Sequence, residues 1–122
     1  MNWLAVFLGG GLGSLARYGI SLLVLRTARP EFPVATLMAN ALSCVVMGAA
    51  LWYAASRWPE GHAGRLFLLV GFCGGFSTFS TFSLETLSLM RSGHVWAAAL
   101  NVLISVAICI SVLYLLTKSQ ST

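Results

Sequence analysis

Gly74-Gly75-Phe76-Ser77-Thr78-Phe79-Ser80-Thr81-Phe82-Ser83 stands inside a hydrophobic segment long enough to cross a membrane. Two adjacent glycines weaken a helix. Five hydroxyl side chains and three phenyl rings follow within the next eight residues. Hydrocarbon does not solvate hydroxyls, so most of them must face protein, water or a ligand. The rings recur at every third position. Side chains three apart are neighbours on a helix, which predicts Phe79 and Phe82 stacked along one side of it. The stretch therefore predicts a helix broken near Gly74-Gly75, exposing backbone carbonyls at membrane depth beside rings and hydroxyls.

Outward from this run the chain stays apolar. Of its 122 residues 58% are hydrophobic and 8% charged, against about 25% charged in soluble domains. Such a chain cannot cover a water-facing surface and reads as an integral membrane protein. A spanning helix needs roughly 20 apolar residues. Four spans are predicted, about 3–25, 33–56, 65–91 and 95–117, making one all-α transmembrane domain over 1–122. The first span lacks a basic leader and is interrupted by Arg17, so it is read as a mature helix and not a signal peptide.

The net charge of +4 does not point to nucleic acid, because the basic residues flank helices where they anchor to headgroups. Arg57, Arg65 and Lys118 fall on one side of the bilayer; Arg26, Arg29 and Arg91 fall on the other. With the two sides balanced, the positive-inside rule gives almost no preferred orientation. A chain without a bias could insert both ways, and opposite copies could pair as an antiparallel dimer; loop edges shifted by a few residues, leaving a weak bias, are the other reading. Small size also favours an oligomer. Gly9/Gly13 and Gly71/Gly75 form small-residue faces for close helix approach, with the partner left open.

Polar residues inside the spans are few and patterned. Thr36, Asn40 and Ser43 share a face of span two, as Asn101 and Ser105 share one of span four. Each face reads either as interhelical glue or as the wall of a polar track. Glu85 is the only intramembrane acid. Cys44, Cys73 and Cys109 lack metal-ligand spacing and are expected as buried free thiols. His62 and His94 are expected as solvated loop residues. No catalytic constellation occurs, so the chain is not read as an enzyme. Amides, hydroxyls and Arg17 are donors, and phenyl edges are electropositive. That inventory suits an anion in a mostly neutral passage, while carbonyls freed at the break suit a cation.

Gly10-Gly11-Leu12-Gly13-Ser14-Leu15-Ala16-Arg17-Tyr18, Thr36-Leu37-Met38-Ala39-Asn40 and Gly71 to Ser83, followed by Asn101 and Ser105, together resemble the Fluc (CrcB) fluoride channels across essentially the whole chain. The resemblance implies a four-helix subunit in a bacterial plasma or inner membrane. It implies an antiparallel, dual-topology homodimer with two pores and a structural sodium ion at its centre, exporting fluoride passively from the cytoplasm and so giving fluoride resistance. On matching positions, Asn40 would be the pore amide, and Phe79 and Phe82 the rings that meet fluoride edge-on. Ser80, Thr81, Thr36 and Ser105 would line the pathway. Arg17 and Glu85 would stand at the vestibules. The backbone carbonyls of Gly74 and Ser77 would hold the sodium ion. Serine at 77, where the family often has threonine, leaves such a carbonyl intact. Two other readings stay open: a small multidrug-type proton-coupled transporter, which works at a span-one acid that this chain lacks, and a non-conducting assembly subunit.

Overall fold

The computed structural model describes residues 1–27 and 32–118. Arg29 and the tail beyond Lys118 lie outside the described residues. Four helical stretches are long and apolar enough to cross a membrane: Asn2–Arg26, Val34–Arg57, Ala63–Arg91 and Val95–Lys118. Each boundary falls within two residues of its sequence expectation.

Helix α1 (Asn2–Thr27) is continuous through its glycines. They make its main packing surface, because α1 lies along residues 66–76 with backbone against backbone. A methyl group at Gly9 would strike the Phe67 carbonyl, one at Gly13 the Phe72 carbonyl, and one at Gly75 the Gly10 carbonyl. A Cβ at Gly71 would come within 2.9 Å of the Gly9 Cα. The two small-residue faces are thus each other's partner within one chain.

Helix α2 (Val34–Arg57) begins after Pro33 and packs along α6 (Val95–Lys118). The third span is built in pieces. Short α3 (Ala63–Arg65) is capped by His62, whose Nδ1 accepts from the Gly64 N–H at 3.1 Å. His62 also stacks on Trp58, with centroids 5.1 Å apart. Leu66–Phe72 is a π-helical stretch; at its end the Cys73 N–H reaches the Leu68 carbonyl, one residue further back than in an α-helix. Helix α4 (Cys73–Phe76) follows, and α5 (Phe79–Arg91) completes the span.

The break between α4 and α5 is at Ser77 (φ −81°, ψ 155°) and Thr78 (φ −149°, ψ 119°). It lies a few residues past the expected Gly74-Gly75, and the glycines themselves are helical. Gly75 is required by the close approach of α1. The break is made by side chains that replace helical hydrogen bonds.

The α5–α6 turn is tight. The His94 N–H bonds the Leu89 carbonyl at 2.8 Å and the Gly93 N–H the Met90 carbonyl at 3.2 Å. This is a Schellman closure, which needs the left-handed φ of 89° at Gly93. Most of the apolar core is small or thin: Ala39, Ala50, Ala54, Ala98, Cys73, Phe76 and Leu89 are among the buried residues. Thr36, Ser43, Asn101 and Ser105 are buried with them. Large apolar side chains such as Trp3 and Phe7 point outward, as they do toward lipid.

Candidate functional site

Backbone groups freed by a helix break have no water to turn to at membrane depth, and each left unmet costs several kcal/mol. At this break, α2 supplies the partners. Asn40 Oδ1 accepts from the Thr78 N–H at 2.8 Å, and its Nδ2 donates to the Thr78 carbonyl at 3.4 Å. One amide therefore serves both polar groups of the extended residue. Ser43, about one turn further along α2, donates to the Cys73 carbonyl at 3.0 Å, and Ser77 Oγ donates to the same oxygen at 2.9 Å. From α1, Arg17 Nε donates to the Gly75 carbonyl at 3.4 Å.

Two carbonyls lose their helical donors in this exchange. The Thr78 N–H, which would close on Gly74, goes to Asn40. The Thr81 N–H, which would close on Ser77, goes to Thr78 Oγ1 at 3.2 Å, capping α5. Gly74 is exposed, with open space where a Cβ would stand. Neutral carbonyl oxygens released from a ladder are the donor type that a hard cation takes, so Gly74 and Ser77 fit the expected sodium ion chemically.

Beside the break lies an open groove of about 260 Å³ between α2, α5 and α6, lined by Asn40, Thr78, Phe79, Phe82 and Ser105 and by Cys44 and Cys109. The Phe79 and Phe82 centroids are 5.8 Å apart with planes at 37°, so the expected stack is a tilted pair. Phe82 is half-buried, whereas Phe79 is 78% exposed on the single chain.

Other polar residues flank the groove. Thr36 Oγ1 donates to Glu85 Oε1 at 2.8 Å. Thr36 precedes Asn40 by four residues and Glu85 follows Phe82 by three, so this pair sits about one turn from the groove on each helix. Behind the groove, Thr86 Oγ1 donates to the Phe82 carbonyl at 2.8 Å and accepts from Asn101 Nδ2 at 2.9 Å. Asn101 Oδ1 in turn accepts from Ser105 at 3.4 Å. The structure brings Asn40, Phe79, Phe82 and Ser105 together. It sets Thr36 with Glu85 apart from them, and brings Arg17 to the break from α1. Ser80 is exposed and Thr81 half-buried, and neither is in the groove lining.

Three features went unread in the sequence. Thr86 follows Phe82 by four, so its place on the same face was open to simple spacing. Thr78 precedes Thr81 by three, the spacing of a hydroxyl N-cap. Of the cysteines, all free, only Cys73 is buried as expected; Cys44 and Cys109 are half-buried and border the groove. Each follows a groove residue by four, Asn40 and Ser105 respectively.

A family model described as CrcB-like protein, Camphor Resistance (CrcB), matches residues 4–116. A protein of Coxiella burnetii (strain Dugway 5J108-111) named "Fluoride-specific ion channel FluC" is 45% identical over 112 residues, covering 91% of this chain and 90% of that protein. Proteins of the same name from Methylobacterium radiotolerans and Pyrococcus horikoshii are 44% and 40% identical, covering 86% and 90% of this chain and 74% and 88% of the relatives. These relatives are named as ion channels and not as enzymes.

Proposed function

The chain belongs to the CrcB-like family, and from that premise we propose that it is a fluoride channel, passing the anion passively out of the cytoplasm along the groove beside the α4–α5 break. The observation that carries this reading is the convergence of Asn40, Phe79, Phe82 and Ser105 on one groove.

The chemistry follows from what those groups offer. Fluoride is small and strongly hydrated, so a narrow passage must replace its water with donors. Asn40 Nδ2 has two N–H groups; one is directed to the Thr78 carbonyl, leaving the other for an anion. Because its amide is pinned on Thr78 from both ends, the donor is held in place before the ion arrives. Phe79 and Phe82 offer ring edges, where the quadrupole is positive. Among the groove-lining residues there is no lysine or arginine, so the anion is assisted without a fixed positive charge to trap it.

The working unit is an antiparallel homodimer with two pores. The released carbonyls on the open side of Gly74 support it, since unmet backbone oxygens need cover inside a bilayer. A structural sodium ion at the dimer centre would be held by the Gly74 and Ser77 carbonyls and would supply the positive charge that those oxygens lack. The setting is a bacterial plasma membrane, with fluoride resistance as the outcome.

Efflux from reconstituted liposomes, followed with a fluoride electrode, tests the site. Asn40→Ala, Phe79→Ile and Phe82→Ile are each expected to slow efflux by about tenfold or more, equivalent to about 1.4 kcal/mol at the barrier. Rates equal to wild type in all three would remove these residues from the pathway.

A further inference from the structure

Cys44 and Cys109 hold the same positions relative to the groove on two helices. Cys44 lies one turn beyond Asn40 on α2, and Cys109 one turn beyond Ser105 on α6. Spans two and four cross in the same direction if every span crosses. The Asn40/Ser105 level is then followed, one turn on, by a Cys44/Cys109 level. Both cysteines border the groove and both are half-buried. The third cysteine, Cys73, is 1% exposed, and Ser43 and Ser77 both donate to its carbonyl; it does not line the groove.

We propose that Cys44 and Cys109 form a two-thiol binding site for a soft, thiophilic d10 cation, and that filling it closes the groove to anions. This rests on the groove being the anion pathway. Thiolate sulfur selects soft ions such as Cu(I) over hard ones. Two thiolates bordering one groove offer the two-coordinate ligation that Cu(I), Ag(I) and Hg(II) accept. Among the described residues no cluster of three or more His, Cys, Asp or Glu is present, so a metal needing more such ligands has no comparable site. With mercuric chloride the step is an exchange: two S–H and two Hg–Cl bonds break, two S–Hg bonds form, and two protons and two chloride ions leave to solvent. No electron is transferred. The product places a heavy atom across the groove one turn from Asn40.

The test uses the full chain in liposomes with mercuric chloride as the probe. Intact-protein mass should rise by one mercury per chain, with two thiols lost to titration and Cys73 still titratable after unfolding. Fluoride efflux should fall at least about tenfold relative to the same untreated liposomes and return on adding dithiothreitol. Cys73→Ser should keep both effects. Cys44→Ser/Cys109→Ser should lose both, each variant being compared with its own untreated rate. Mercury bound by Cys44 and Cys109 without loss of efflux would overturn the proposal. So would inhibition that survives in the double variant, or mercury held by Cys73. Wild-type protein that takes up mercury at the pair but passes no fluoride before treatment would instead refute the channel reading, leaving the two-thiol site standing.

Discussion

Glu85 is held from one side only: Thr36 donates to Oε1, while Oε2 is buried and makes no hydrogen bond to any described residue. In a proton-coupled transporter, such an acid would be the exchanging group, and Glu85→Gln would abolish transport. A passive pore does not need the charge. The expectation is that Glu85→Gln still conducts fluoride, with an altered rate, and loss of all transport in liposomes would favour the coupled reading. Asn101 sits at 1% exposure between Thr86 and Ser105. Asn101→Ala leaves both hydroxyls short of a partner, and an unmet buried polar group costs about 1–3 kcal/mol. A lowered thermal midpoint in detergent, read by circular dichroism, is expected. An unchanged midpoint would show that this chain of hydroxyls is not structural glue. At this scale the sequence was legible in part. Asn40 stands out in the sequence because an amide at membrane depth needs partners. That its partner would be the Thr78 backbone was not readable, because the bond joins residues 38 apart.

The elements explain why the glycines and the break are close but not the same. Gly9, Gly13, Gly71 and Gly75 serve the seam of α1 against residues 66–76. Ser77 and Thr78 form the break, held by Asn40 and the Thr78 cap. Glycine pairs signalled close approach in the sequence, but small-residue spacing carries no address, so the partner helix emerged only in the fold. The break was expected at Gly74-Gly75 because glycine lowers helix propensity. Tertiary hydrogen bonds from α2 decided its position instead. Gly13→Ala places a methyl against the Phe72 carbonyl, and overpacking of this kind costs about 1–3 kcal/mol. Gly11→Ala, on the same helix with nothing within 4 Å, is the control. Guanidinium-free thermal melts in detergent should separate the two, with only Gly13→Ala destabilised. Equal midpoints would mean that α1 does not pack through its glycines.

For the whole molecule, four apolar spans were legible because hydropathy and length suffice to find membrane helices. The assembly was not, because one chain shows its outer faces without what covers them. The balanced flanking charges remain the reason to expect dual insertion. A single cysteine introduced at the N-terminus, in a chain whose own cysteines are replaced by serine, should be labelled by impermeant reagent from both faces of the membrane. Labelling from one face alone would remove the antiparallel dimer. The central claim is simpler, that this groove passes fluoride and discriminates against a larger halide. Purified wild-type chain in liposomes, loaded with potassium fluoride or potassium chloride and opened with a potassium ionophore, tests it most directly. The account predicts rapid electrode-detected release of fluoride and retention of chloride. Release of neither ion, or of both equally, would contradict it.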